Sequence, residues 1–516
     1  MGVLNYYLPF LGALGPFQFP FYIAFALALV ISINVLLQLI PTFRKHNEPP
    51  TVFHWVPFIG SAAAYGKNPN EFFKKCREKH GDVFTFVMLG HRMTAYFGIE
   101  GNDFILNSKN QELNAEEIYG PLTTPVFGTG VIYDCPNSML IEQKRFIKFG
   151  LNQQALESHV RLIEQEVLDY IKNTPELKGP SGTMSVFQVM SQITLFTAAR
   201  SLQGVEVRKK LNKEFAALYH DLDQGFSPLN FVFGKAPLPV NLRRDAAHAK
   251  IRDIYLDIIK QRRASESGPT EPDMLWNFMQ CTYKNGNPLT DQEIAHLMIA
   301  LLMAGQHSSS AAGEWIMLRL ASQPEVVEEI YQEQLGYYEG SLRPLEYDHL
   351  EHFHVLQHVI KETLRVHSST HSILRKVKKS LRIPGTEYVV PAGNVMLASP
   401  TVNHFDERYF ANPTRWDPRR WDDNKADKED ETDLVDYGYG LVNKGTKSPY
   451  IAFGAGRHRC IGEKFAYANL QIIIATLVRN FKFSTLDGER TIPPTDYSSM
   501  FLRAMRPGII RWERRI

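Results

Sequence analysis

The segment SPYIAFGAGRHRCIGEKFAY, Ser448–Tyr467, sets Cys460 among Gly454, Gly456, Arg457, His458, Arg459 and Gly462. Glycines let a backbone turn sharply and approach a flat partner closely. A helical run, Ile461 to Phe481, follows the cysteine. A thiol at a helix N-terminus, beside cations, is expected as a thiolate. Soft anionic sulfur suits a transition metal. An inert core cysteine is the commoner fate of a lone Cys, but it leaves the flanking glycines and arginines unexplained. Gly454-Ala455-Gly456 does not open a dinucleotide fingerprint, because the next glycine, Gly462, comes too late.

Other residues with chemical potential lie upstream. AGQHSS, Ala304 to Ser309, puts His307 and Ser308 in an apolar helical run, where a satisfied polar core is the usual reading. Glu362 and Arg365 fall at i, i+3 on a predicted helix, with Arg420 in the later loop NPTRWDPRRW. Any helix shows this spacing by chance, and as a surface pair it would be worth little. His354 and His358 at i, i+4 lack the Glu of a zinc motif and read as packed or solvated histidines.

Several elements must position these groups. Thr290-Asp291-Gln292-Glu293 is a capping box opening a long buried helix. Its Gly and consecutive serines predict a local distortion in mid-helix. Asn70 to His80 reads as an amphipathic helix, followed by a hairpin broken at Gly90. Tyr119 to Asp134, dense in Gly and Pro, predicts a structured loop rather than a helix. Residues 155 to 265 read mainly as helices, interrupted by the apolar, proline-broken stretch Gly225 to Val240. Asp422 to Ser448 is charged and reads as loop. Asp496 to Trp512 suggests a closing hairpin.

The chain has 516 residues, a net charge of +2 and 44% hydrophobic content. That supports a large core and argues against nucleic acid as a partner. The four cysteines carry no CxxC pair, so neither a disulfide framework nor a zinc site is indicated. No Asp, Glu, Lys or Arg precedes Arg44, and Phe19 to Ile40 is long and apolar enough to cross a bilayer. A signal peptide would want a basic start, which is missing. Arg44 and Lys45 after the span place the body in the cytosol by the positive-inside rule. Leu4 to Leu14 suits the membrane interface. The expected division is an anchor over 1–48 and one body over 49–516.

Phe453, Gly456, Arg457, Cys460 and Gly462 fill F-x-x-G-x-R-x-C-x-G, which resembles the haem-binding loop of the cytochrome P-450 family. The resemblance implies a mainly helical cytochrome P-450 fold with small sheets and a haem b cofactor. Cys460 would be the axial ligand of its iron. In the family, Glu362, Arg365 and Arg420 pair with one another. The pattern Y-x-x-L-x-x-P-x-F-G-x-x-V-x-Y-D over Tyr119–Asp134 is similar to the signature of the sterol 14α-demethylase branch. That branch implies Tyr119, Tyr133, Lys144, Arg375 and His458 as contacts of the haem propionates. It implies Tyr119, Thr123, Phe127, Phe226, Ala304, Gly305, His307, Ser372, Ile373 and Met500 as substrate contacts, with Pro228, Phe231, His371, Leu374 and Phe501 nearby. His307 and Ser308 stand where the family carries an acid and a threonine for proton delivery, and the branch shares the histidine.

The insert before the haem loop looks fungal. The implied reaction is removal of the 14α-methyl group of lanosterol or eburicol by three oxygenations with O₂, releasing formate. The implied partner is NADPH-cytochrome P-450 reductase, and the implied location is the endoplasmic reticulum membrane. Another microsomal P-450 hydroxylase and a non-catalytic haem-binding sensor are the alternatives. Turnover of a sterol separates them.

Overall fold

A computed structural model describes residues 18–40, 47–211, 213–227, 230–265, 273–422, 433–498 and 501–515. They fall into two units. Within the described residues, the smaller unit runs to Tyr96 and takes in Gln111–Leu113 and Lys376–Leu397. The larger comprises Phe97–Asn110, Asn114–Arg375 and the chain from Ala398 onward.

The smaller unit begins with the helix Gln18–Leu39, one residue offset from the expected span. Phe21, Leu27 and Leu36 are exposed, an apolar surface of the length a bilayer requires. Asn34 and Gln38 are polar residues of its C-terminal half. Both amides donate to the His54 carbonyl at 2.8 Å, and the His54 amide donates to Gln38 Oε1 at 3.0 Å. The linker chain is thereby bonded to the end of the span. Arg44, Lys45 and Leu4 to Leu14 lie outside the described residues.

Pro69–His80 follows as a helix capped by Asn68, with Phe72, Phe73 and Cys76 buried. Val83–Met88 and His91–Tyr96 form the expected hairpin, and Leu89 and Gly90 turn it with positive φ values of 48° and 80°. Val395, Met396 and Leu397 pair in parallel with Met93, Thr94 and Ala95.

The larger unit is built around the helix Asp291–Ser322, 32 residues long. The capping box forms: the Glu293 amide donates to Thr290 Oγ1 at 3.2 Å, and the Thr290 amide to Glu293 Oε2 at 2.8 Å. Apolar residues occur on every face because neighbouring elements cover most of its length. Trp315, Ile316 and Leu320 pack in one core with Val189, Val167 and Leu477. Leu297, Met298 and Leu302 pack in a second with Phe215, Tyr255 and Phe278. Each such large side chain contributes roughly 1.5–3 kcal/mol by burial. Gly313 is required by closeness: a Cβ there would lie 2.2 Å from Met190 Cε on the neighbouring helix.

Three expectations need correction or refinement. The central helix is unbroken at its serines. Ser308 Oγ donates to the Ala304 carbonyl at 2.8 Å and Ser310 Oγ pairs with Ser191 Oγ at 2.9 Å, so the hydroxyls are satisfied without opening a turn. Glu116–Phe127 is a helix, not a loop, despite Pro121 and Pro125 inside it, and a 3₁₀ turn, Ile132–Asp134, follows. Burial of Leu122 and Val126 outweighs the prolines' missing donors. The stretch expected as charged loop carries a hairpin, Leu434–Asp436 with Leu441–Asn443, closed by Asp436 Oδ1 accepting from the Gly438 and Gly440 amides. Residues 423–432 lie outside the described residues. The Glu362–Arg365 pair implied by the resemblance forms at 2.8 Å and is fully buried. Arg420 Nε reaches Glu362 at 3.3 Å, and Arg365 also donates to the carbonyls of His404, Pro413 and Arg415. At the C-terminal end, Thr495–Asp496 pairs with Arg503–Ala504.

Candidate active site

Cys460 sits between a 3₁₀ turn, Gly456–His458, and the helix Glu463–Asn480. Its amide donates to the Phe453 carbonyl at 2.9 Å, which closes the loop. Gly456 has φ +67°, and a Cβ there would lie 2.2 Å from the Leu106 carbonyl oxygen, so only glycine fits. Cys460 is solvent-accessible yet deep within the protein, the combination expected of a group lining an interior space. The expected thiolate is not favoured by the protein's own groups alone. Burial pushes the thiol up to about 11, Glu463 adds to this, and the Gly462 amide, Lys144 and Arg459 oppose without prevailing. Arg459 is engaged elsewhere, paired with Glu463 at 2.8 Å. Ligation by a metal cation is what would remove this proton.

Beside the loop, cations converge. Lys144 Nζ donates to the Arg457 carbonyl at 2.7 Å, and burial, with Arg375 next, lowers its pKa to about 8. Arg375 is buried and donates to the Leu374 carbonyl at 2.8 Å. Tyr119 Oη accepts from the Leu374 amide at 3.0 Å, and its ring stacks on Tyr133 at 5.6 Å. Tyr133 in turn lies 6.1 Å from the His458 ring. Burial and the charges of Lys144, Arg375 and Arg457 push His458 well below its ordinary value. Arg457 Nε and His458 Nδ1 are buried without a partner. A positive cluster with orphaned nitrogens next to a metal-competent sulfur fits haem, whose propionates supply the missing negative charge. Sequence reasoning missed Arg457 as a member of this cluster.

On the central helix, Ala304 is exposed at mid-helix with buried residues on either side, and a Cβ added at Gly305 would meet nothing within 4 Å. The helix opens there onto free space. His307 follows, buried, with partners on both nitrogens. Arg503 can only donate, so its bond to Nδ1 at 2.9 Å makes Nδ1 the acceptor. Nε2 then carries the proton and faces Asp223 Oδ1 and Tyr219 Oη, each at 3.0 Å. Burial acts to raise the Asp223 carboxyl, but the bond and charge of His307, with Arg503 and His220, outweigh it and hold it below its ordinary value. Tyr219 donates to Gln306 Oε1 at 2.7 Å.

Aromatic rings close the space around His307. Phe501 stacks on it at 5.5 Å, and Phe226 meets it edge-on at 6.3 Å. Phe226 also meets Phe127 at 5.6 Å, and Phe231 approaches Tyr119 at 6.2 Å. Thr123 is buried and donates to the Tyr119 carbonyl at 3.0 Å. Ser372 Oγ bonds His371 Nδ1 at 2.8 Å, and Ile373 is half-buried at the head of a strand. Ser308 does not offer its hydroxyl freely, since Ala304 holds it. Met500 and Pro228 lie outside the described residues. Tyr219, Asp223 and Arg503 went unnamed in the sequence. The i, i+4 spacing of Tyr219 and Asp223, and the i, i+2 spacing of Phe501 and Arg503, were the available signals.

This arrangement of a thiol on a glycine loop below and a long helix with an open face defines a class. The chain belongs to the cytochrome P450 family, whose model matches residues 49–512. A solved structure, a cyanobacterial CYP120A1 with retinoic acid bound, shares the fold with a TM-score of 0.74. It covers 92% of this chain and 100% of that one at 18% identity. Within the family the chain groups with fungal sterol 14-alpha demethylases. It is 59% identical to one from Aspergillus flavus over 96% of both chains. It is 58% identical to one from Gibberella zeae over 96% of this chain and 98% of the other. It is 54% identical to the eburicol 14-alpha-demethylase of Penicillium italicum over 94% and 95%.

Proposed function

We propose that this protein is a haem-thiolate monooxygenase that removes the 14α-methyl group of lanosterol or eburicol. It would do so by three successive oxygenations ending in release of formate. The observation that carries the reading is the convergence of Tyr119, Tyr133, Lys144, Arg375 and His458 beside the Cys460 loop, in a chain 59% identical to a sterol 14-alpha demethylase. Haem, when bound, supplies the activation of O₂. Cys460 is the ligand available to its iron. Lys144, Arg375 and Arg457 would balance its two carboxylates, with Tyr119, Tyr133 and the neutral His458 as hydrogen-bonding neighbours.

The remaining chemistry belongs to this chain's side chains. His307 holds a proton on Nε2 between Asp223 and Tyr219, and Arg503 fixes that tautomer from the other side. Asp223 is partly exposed, so the route from solvent to the open helix face runs through a carboxylate and an imidazole. Ser308 adds a hydroxyl whose proton is already directed to the helix. Phe127, Phe226 and Phe501 form an apolar wall that excludes water and suits a rigid polycyclic lipid. Thr123, Ala304, Gly305, Ser372 and Ile373 complete the substrate lining, with Met500 assigned by resemblance alone.

The anchor over 1–48 would hold the catalytic body, 49–516, on the cytosolic side of the endoplasmic reticulum membrane. There it would take electrons from NADPH-cytochrome P-450 reductase. The test is reconstitution of the full chain with that reductase, NADPH and either sterol. Formate and a Δ14 sterol are the expected products. Turnover of fatty acids without sterol turnover would assign it to another hydroxylase group, and haem binding without any turnover would make it a sensor.

A further inference from the structure

Glu314 lies on the central helix seven residues beyond His307, and two turns of helix return it to the same stripe. The strand Arg503–Ala504 packs along that helix. Arg503 reaches His307 Nδ1 at 2.9 Å with its terminal nitrogen, while its Nε is buried without a partner. Glu314 is 1% exposed; its Oε1 meets Arg506 at 3.3 Å, and its Oε2 is buried without a partner. A buried acceptor and a buried donor of opposite charge therefore stand unsatisfied along one helix–strand contact. A half-satisfied buried charge is costly, so such groups are held for a reason other than stability.

We infer that Glu314 is a positioning residue, the counter-charge that keeps the Arg503 guanidinium on His307 Nδ1 and so fixes the Nε2 proton toward Asp223 and Tyr219. The inference rests on the assignment of His307 to proton handling. The charged groups around the pair, among the described residues, are Arg503 and Arg506 on the C-terminal segment, Asp496 across the strand pair, and His307 with Asp223. On the neighbouring helix Val186–Ala198, the Phe187 ring lies 5.5 Å from the Arg503 guanidinium and 3.1 Å from that of Arg506. Burial pushes the Glu314 carboxyl up to about 7, against the opposing charges of Arg506 and Arg503. Its counter-charge is therefore present above neutrality and lost below it.

The test compares wild type, Glu314→Gln, Glu314→Asp and His307→Ala as full-length haem-loaded proteins with reductase and sterol. It reads product formed per NADPH consumed from pH 6 to pH 8.5. Nitrogen chemical shifts of labelled histidine give the His307 tautomer independently, and thermal unfolding checks the fold. Wild-type coupling should fall as pH drops below about 7. Glu314→Gln should be roughly ten-fold poorer at pH 8, flat with pH, and mixed in tautomer. Glu314→Asp should restore part of both readouts. A folded Glu314→Gln protein with wild-type pH dependence and tautomer overturns the inference. If His307→Ala also couples normally, the assignment of His307 falls instead.

Discussion

His404 commits both ring nitrogens to the main chain. Nδ1 donates to the Arg365 carbonyl at 2.9 Å, and Nε2 accepts from the Ile451 amide at 3.1 Å. Burial, with the Arg365 charge next, lowers its pKa to about 3, because a second ring proton would point at an N–H. Burial lowers His159 and His371 to about 4. A lowered histidine contributes stability above the unfolded value near 6.5 and loses it as pH falls toward the folded value. Each group accounts for about 1.4 kcal/mol per pH unit in that window. Urea unfolding of the body should therefore steepen in its acid loss between pH 6.5 and 4, and His404→Gln should make that loss shallower. An unchanged slope in His404→Gln would remove this residue from the account. At the cofactor, Lys144→Met and Arg375→Leu should each lower haem retention during purification, with Cys460 intact. Haem content and spectra check that outcome.

Among elements, the buried pair on the helix His354–Val366 ties that helix to the loop of Ala411–Trp421 through Arg365 and Arg420. Removing one partner leaves an uncompensated buried charge. Arg365→Ala should therefore lose about 3–5 kcal/mol of stability, seen as insoluble or haem-free protein. Gly456→Ala should prevent the Cys460 loop from seating against Leu106, and Gly445→Ala, at a similar positive φ of +62°, serves as a comparison where the clash is with the Arg459 side chain rather than with backbone. Much of this was legible in sequence because the signals are local: the Thr290–Glu293 box, the Gly90 turn, the order of glycines around Cys460. The Glu116–Phe127 helix was not, because local proline content argued against it and only packing of Leu122 and Val126 overrides that. The partners of His307 were hidden by distance along the chain, since Asp223 and Arg503 arrive from separate elements on either side of the imidazole. The expected Cys460 thiolate weighed nearby charge, which a sequence shows, and not burial, which it does not; a bound metal cation would restore the thiolate.

For the whole molecule, the long central helix carries both the core and the site, so catalytic geometry and stability are coupled along one element. The exposed apolar helix Gln18–Leu39 carries no such coupling. Removing residues 1–48 should release the body from membrane fractions while leaving its haem spectrum unchanged, as fractionation with salt and detergent would show. The central claim is that Cys460 ligates haem iron in a sterol site that includes Ala304 and Gly305. Its most direct test is the carbon monoxide difference spectrum of the reduced full-length protein, recorded for wild type and Cys460→Ala, with lanosterol titrated into the oxidised form. The account predicts the thiolate signature in wild type, its loss in Cys460→Ala, and a saturable spectral shift with the sterol. A thiolate signature that survives in Cys460→Ala would contradict it.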